Sequence, residues 1–287
     1  MPHLSNDRRI LVIGADSVIG AAVAARLEIL NAPVIRTSRR GTPGSVPLDL
    51  AALTAQWCPP AGIAAAVLCA GITSTDTCCD RFDECHRVNV DAVSELGRRV
   101  AAAGARVVFP STNMVFDGGT PFTPATAVRC PRTAYGRMKA EAEERLLSLG
   151  DCTTVVRLTK VVGRSLPVID RWRESLGHGK PIRPVTDLRI APVALEIAAA
   201  VIVAAAREPL DSILQVSARA EVSYAEVAYR LAGRWGVEPD LVRPASAAEL
   251  GLRLEHLPAH TTLDASTVRD KLGIAAPDPW AAVGEVV

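Results

Sequence analysis

The stretch Arg9-Ile10-Leu11-Val12-Ile13-Gly14-Ala15-Asp16-Ser17-Val18-Ile19-Gly20 decides the fold. Its aliphatic run reads as a short buried strand, and a helical apolar pattern rich in Ala and Leu follows over 19–30. Gly14, at the strand's end, lets the backbone turn tightly toward a bound pyrophosphate. Gly20 lets helix and sheet pack closely, and the helix N-terminus offers N–H donors and positive potential. Asp16, Val18 and Ile19 complete this turn. Ser17 stands where the usual fingerprint has its middle glycine. Its hydroxyl can reach a phosphate, and a φ above zero there would cost about 1 kcal/mol. A plain tight βα turn is the competing reading.

Outward from that turn, short β-rich runs alternate with helical ones. Strands are expected over 33–36, 45–48, 63–69, 106–109 and 153–158, with helices over 83–103 and 133–149. Near-continuous apolar strands alternating with helices predict a parallel sheet covered on both faces. Right-handed crossovers make it a doubly wound α/β (Rossmann) sheet. The second half is less regular. It offers a short helical piece over 170–175, a helix over 193–206 and a strand over 212–216. Ser223-x-x-Glu226 is a capping box opening another helix, and a further helix starts after Leu263-Asp264-Ala265-Ser266 and stops at Gly273. The expected division is a dinucleotide-binding domain over 1–163, to which 193–206 and 212–216 return. A smaller substrate-binding lobe would be built from 164–192 and 217–287.

Composition narrows the function classes. The chain has 287 residues, 49% hydrophobic and 22% charged, with a net charge of +1. That is ordinary for a globular protein and gives no footprint for nucleic acid or an acidic membrane. Apolar runs such as 194–206 fall short of the ~20 residues a bilayer span needs. The polar start at 1–9 lacks a signal peptide's apolar stretch, so a cytoplasmic protein is expected. The base rate among closed homo-oligomers favours a homodimer. Seven cysteines are an odd number in a chain too large to need stapling, which reads as reduced thiols. Cys78, Cys79, Cys85 and His86 lack the paired hooks of structural zinc, and Pro258 spoils the registry of His256 and His260, so no metal is expected.

The end of the second strand carries Arg36, Ser38, Arg39 and Arg40 where a free ribose 2′-hydroxyl would call for an acid. Guanidinium forks beside a hydroxyl suit a 2′-phosphate, favouring NADP over NAD; a solvated basic turn is the plainer alternative. After the fifth strand come Ser111, Thr112, Asn113 and Met114, and then Tyr135 and Lys139. Four residues apart, these last two share one helical face, where an ammonium would lower the phenol's pKa toward the range of a general acid. A hydroxyl from Thr112 or Ser111 can hold a substrate oxygen at the same point. The chain has only 3 tyrosines, and four of its 32 basic residues are lysines, so the pair at this spacing is not incidental.

At these residues the chain resembles an extended short-chain dehydrogenase/reductase, and more narrowly the dTDP-4-dehydrorhamnose reductase family. Leu48-Asp49-Leu50 resembles the family's adenine-contacting segment, and Cys69-Ala70-Gly71 its small-residue turn. Val88-Asn89-Val90 is similar to its helix, 111–118 to its Ser-Thr-Asp-Tyr-Val-Phe-Asp-Gly segment, and 131–139 to its Pro-x-x-x-Tyr-Gly-x-x-Lys. Arg157 to Gly163 and the ending from Leu263 to Trp280 also match. The resemblance implies that Tyr135 donates a proton, Lys139 binds the nicotinamide ribose and Thr112 holds the carbonyl oxygen. Hydride would pass from NADPH to a keto carbon of a nucleotide-linked sugar, the expected small-molecule partner. Two sugar-side aromatic residues of the family are replaced, one by Met114 in the Asn113-Met114 pair and the other by Lys160. The substrate is therefore expected to differ. Arg132, Arg183 and Arg189 either meet a substrate diphosphate or are surface charges. Two competitors share the fold: an epimerase or dehydratase with tightly held NAD, and a catalytically silent NADP-binding regulatory subunit. Asn113 after Thr112, with no Asp-Glu pair there, argues against dehydration.

Overall fold

The computed structural model describes residues 9–284, so most of the polar start lies outside it. The first half runs β1 (Arg9–Ile13), α1 (Val18–Ile29), β2 (Val34–Ser38), β3 (Val46–Pro47) and β4 (Ile63–Leu68). Next come α2 (Thr75–Asp80), α3 (Phe82–His86), α4 (Val93–Ala102), β5 (Arg106–Thr112), α5 (Ala134–Leu147) and β6 (Thr153–Leu158). The second half adds β7 (Lys160–Val162), α6 (Pro167–Gly177), β8 (Arg189–Ile190), β9 (Pro192–Ala194) and α7 (Leu195–Arg207). It closes with β10 (Ile213–Val216), β11 (Val222–Ser223), α8 (Tyr224–Arg234), α9 (Ser266–Leu272) and α10 (Pro279–Gly284).

Seven strands form one parallel sheet in the order β3-β2-β1-β4-β5-β6-β10. This is the expected doubly wound Rossmann arrangement. The order reverses between β1 and β4, which opens a crevice at their carboxyl ends. Every residue of β4 is buried, as a central strand covered on both faces requires. Alternation sorts the strand side chains to two cores. Ile10 and Val12 face α1 and α7 with Val23, Leu27 and Ile202, whereas Leu11 and Ile13 face Leu96, Val100 and Leu146 of α4 and α5. Val268 of α9 joins the first of these cores. A third core, with Ile169 and Trp172 of α6 and Val227 and Leu231 of α8, belongs to the smaller lobe. The capping box at Ser223 and Glu226 is present, and Gly273 ends α9 in the left-handed conformation.

Two helices differ from expectation. The long helix over 83–103 is interrupted by a π turn at Arg87–Ala92, a feature frequent near functional sites. That turn carries the buried Asn89, whose amide clasps both the N–H and the carbonyl of Ile72, at 2.7 and 2.8 Å. Val193 and Ala194 are extended rather than helical, because they pair with Val161 and Val162 of β7. Two cysteines of the 78–85 cluster are core thiols, and Cys79 is half-buried. Cys78 and Cys85 are fully buried, and their Sγ atoms donate to the carbonyls of Ile72 and Thr77.

Candidate functional site

The glycine turn is built by close packing. Gly14 has φ +80, and a Cβ there would lie 2.7 Å from the Ala70 backbone. At Gly20 a Cβ would come within 2.2 Å of the Gly14 carbonyl oxygen. Ser17 needs no positive φ: at φ −77 it is extended and caps α1, accepting from Gly20 N at 3.1 Å and donating to Gly14 O at 2.8 Å. The strain foreseen for a non-glycine residue is therefore absent, and its hydroxyl closes the turn instead of being free for a phosphate. Val18 and Ile19 open the helix and line the cavity described below. Their backbone N–H groups have no acceptor among the described residues, as first-turn donors generally do not.

The basic turn divides its labour. Arg36 pairs with Glu28 at 2.5 Å, and Arg40 pairs with Asp16 at 3.0 Å. Ser38 is buried, and its hydroxyl accepts from Thr42 N at 3.1 Å, which closes the turn. Arg39 has no ion pair or hydrogen bond among the described residues. Asp49 caps a short 3-10 turn through Ala51 N, and Leu50 is buried in the core. Cys69 hydrogen-bonds through its N–H to Ile13 O, which sets the Cys69-Ala70-Gly71 turn beside the end of β1. Burial pushes the Cys69 thiol up to about 12.

At the carboxyl ends of β5 and β6 lies a cavity of about 770 Å³, lined by Thr112, Tyr135, Asn113, Met114 and Lys160 among others. Thr112 accepts from Met114 N at 3.2 Å, which leaves its own hydrogen facing only a 3.4 Å contact to Asn113. Asn113 in turn donates to Thr261 O, tying β5 to the lobe. Ser111 is different: its hydroxyl donates to the buried Glu143 carboxylate, so it is not free for a substrate oxygen. Close passage of the Met114 carbonyl past Gly136, where a Cβ would sit 2.2 Å away, seats α5 against the end of β5.

Thr133 caps α5 through Gly136 N at 3.0 Å, and Tyr135 and Lys139 follow one turn apart. Lys139 donates to Pro110 O at 2.6 Å and lies 3.6 Å from the centre of the Phe109 ring. No contact joins its ammonium to the Tyr135 hydroxyl. Burial lowers Lys139 to about 7, against the opposing pull of Glu143 and Cys69. Burial, with a smaller push from Cys78, raises the Tyr135 phenol well above its ordinary value. The expected lowering of the phenol pKa by lysine is thus reversed here. Desolvation dominates, and the Lys139 ammonium turns one of its donors to Pro110 O instead of to the phenol.

The lobe brings in several lining residues, of which only Arg189 was weighed as a substrate ligand from the sequence. Arg189, Tyr224, Arg253, Glu255, His256 and Thr261 all face the cavity. Glu255 accepts the Ala134 N–H on both carboxylate oxygens, at 3.0 and 3.1 Å. His256 Nε2 lies 2.6 Å from the Asp117 carbonyl. Glu221 receives the N–H groups of Thr261 and Thr262 and stands 3.5 Å from His260. Of the three arginines weighed for a diphosphate, Arg189 lines the cavity, near Glu221 and Glu226; Arg132 lies 3.8 Å from Asp117. Arg183 is not among the lining residues.

A family model described as the RmlD substrate binding domain matches residues 8–287. The chain belongs to that family. This RmlD-family chain is 27% identical over 172 residues to methionine adenosyltransferase 2 subunit beta of Bos taurus, covering 59% of this chain and 50% of that protein. It is 28% identical over 192 residues to dTDP-4-dehydrorhamnose reductase of Mycobacterium tuberculosis (strain CDC 1551 / Oshkosh), covering 63% of this chain and 62% of that protein. The RmlD-family chain therefore matches less than two thirds of either curated relative's length. The solved structure of dTDP-4-dehydrorhamnose reductase from Bacillus anthracis in complex with NADP superposes with a TM-score of 0.81 at 17% identity, over 96% of both chains. Among the described residues, no helix is long and apolar enough to cross a membrane.

Proposed function

We propose that this chain is an NADPH-dependent reductase that delivers hydride to a keto group of a nucleotide-linked sugar. The observation carrying this reading is that Thr112 and Tyr135 face one cavity at the carboxyl edge of the sheet, beside the open N-terminus of α1. The residues present fit the dinucleotide. Free N–H groups on Val18 and Ile19 suit a pyrophosphate, and unpaired Arg39 at the end of β2 suits a 2′-phosphate. Asp49 and Leu50 would border the adenine, and Cys69, Ala70 and Gly71 the space between the two ends. Lys139 would hold the nicotinamide ribose. Names among the relatives support the same direction, since one is a dTDP-sugar reductase and a related structure holds NADP.

In this reading the reduced nicotinamide supplies the hydride. Thr112, whose oxygen already accepts from Met114 N, donates its hydrogen to the substrate carbonyl. Tyr135 gives its proton to the same oxygen as charge develops there. A phenol whose pKa is held high by burial is protonated at neutral pH, as a proton donor must be. A silent subunit is the second reading, favoured by one observation: a relative that is the beta subunit of methionine adenosyltransferase 2. The open Thr112 and Tyr135 hydroxyls support turnover instead.

The test is calorimetric binding of NADPH and NADH to the purified protein, followed by NADPH oxidation with dTDP-4-keto-6-deoxy sugars. A preference for NADPH of about 1.4 kcal/mol or more, a factor of ten, is expected, and Arg39→Ala should remove most of it. Arg40→Ala should matter less, because Asp16 already engages that guanidinium. Binding of neither nucleotide refutes the reductase. Nucleotide binding without oxidation of any keto-sugar, together with a co-purifying partner enzyme, favours the silent subunit.

A further inference from the structure

We propose that Lys160 is a recognition site for an anionic oxygen group on the substrate, a carboxylate on the sugar or the diphosphate of the nucleotide; this rests on the sugar-nucleotide reading above. The position is set by the sheet. Thr112 of β5 pairs in register with Leu158 of β6, and Lys160 opens β7 two residues further on. Neighbouring strands lie about 4.8 Å apart and two residues reach at most about 7 Å, so the Cα atoms of Lys160 and Thr112 are within about 12 Å. The hydrogen bond from Thr159 Oγ1 to Ala191 O, 2.5 Å, and the pairing of Lys160 with Pro192 hold that backbone in place.

Three Lys or Arg side chains line the cavity: Lys160, Arg189 and Arg253. Arg189 lies 3.7 Å from Glu221 and 3.9 Å from Glu226, and Arg253 lies 3.5 Å from Asp80. Lys160 has no ion pair or hydrogen bond among the described residues. Lys160 is exposed where it lines the cavity, and partial desolvation there lowers its pKa with no acid to oppose it. An unpaired ammonium in a partly desolvated wall gains most from a ligand that brings its own negative charge. Lys160 supplies no aromatic face, and its ammonium, which can donate to sugar hydroxyls, gains more from an oxygen that carries a negative charge.

The experiment titrates the NADP-loaded protein with UDP- and dTDP-glucose and with UDP- and dTDP-glucuronic acid, which differ in one ring carboxylate. Wild type, Lys160→Met and Lys160→Arg are compared, with NADPH affinity confirming that each variant folds. A sugar-carboxylate site is shown by at least tenfold tighter binding of the uronates to wild type, lost in Lys160→Met and kept in Lys160→Arg. A diphosphate site is shown by a tenfold or larger loss in Lys160→Met that is equal for all four ligands. Affinities for all four within twofold of wild type in Lys160→Met overturn the proposal and leave the sugar-nucleotide reading standing. Failure of all four to bind wild type, with NADPH still bound, overturns that reading and this proposal with it.

Discussion

The carboxylate of Glu255 receives the backbone N–H of Ala134, 121 positions earlier and immediately before Tyr135. A charge from the smaller lobe thus completes the N-terminus of the helix that carries the proposed proton donor. Anions at that end of a helix are stabilising by about 0.3–1 kcal/mol when exposed, and more when partly buried. The contact couples the position of the lobe to the position of the phenol.

Glu255→Ala should therefore destabilise the protein by about 1 kcal/mol and lower kcat while leaving NADPH affinity within twofold. Glu255→Gln keeps an acceptor for Ala134 N and should lose less of both. Denaturant melts with steady-state kinetics check this. A kcat unchanged in Glu255→Ala would separate the cap from the chemistry.

Tyr135→Phe is close to isosteric, and the Tyr135 hydroxyl has no hydrogen-bond partner among the described residues. Its loss should leave folding and NADPH affinity intact while slowing turnover by about 10²–10⁴-fold, the usual contribution of a general acid. Comparable turnover in the variant rules out Tyr135 as the proton donor.

Ser17→Ala removes the cap on Gly20 N and the bond to Gly14 O. A cost of about 1 kcal/mol in unfolding free energy is expected, whereas Ser17→Gly should cost only a few tenths. NADPH affinity should survive in Ser17→Gly, because the Ser17 hydroxyl serves the turn. A tenfold loss of NADPH affinity in that variant would instead place the hydroxyl on a phosphate.

Lys139 predicts a pH dependence of stability. Burial brings it from the ordinary 10.5 down to about 7, although Glu143 and Cys69 pull upward. Between those two pH values the unfolded chain binds more protons than the folded one, so stability from this group rises with pH across that window. The penalty is complete below about pH 7 and relieved above about 10.5. Lys139→Met lacks this slope, so the Tm of the variant relative to the wild type should be highest near pH 6.5 and should fall steadily toward pH 10. A constant difference would mean that the ammonium keeps its proton.

Glu143 and Arg157 form a buried pair, 2.8 Å at the shortest, and both side chains are almost wholly inaccessible. Arg157 also donates to Ala125 O and lies 4.9 Å from the Phe116 ring centre, while Ser111 donates to Glu143. Removing one charge strands the other, so Glu143→Gln should cost about 3–5 kcal/mol in denaturant unfolding. Replacing both by Leu and Met should cost less than the two single changes added together.

The pattern of apolar residues was enough to recover the doubly wound sheet, because each strand and helix records in its own periodicity which face it buries. Gly14, Gly20, Tyr135 and Lys139 were legible for a related reason: their spacing along one turn or one helix is local. Thr112 was legible from its place after an apolar strand. The boundary at 193–194 and the π turn at Asn89 were not, since each is settled by a partner strand or loop that local propensity does not describe.

What the tertiary structure alone decided is which groups are free. Ser17 and Ser111 line the same cavity as Thr112 and Tyr135, yet each has already given its hydrogen to a neighbour in the fold, and Ser38 is buried where it closes its turn. The three arginines of the turn looked equivalent until Glu28 and Asp16 claimed two of the guanidinium groups. Glu255 and Arg189 reach the site by a long path through the lobe, with no spacing that announces it. The amino-acid sequence determines each element's inward face through local burial. Partners and desolvation depend on where distant segments come to rest, and those set the charge, the hydrogen bonding and the selectivity of the site.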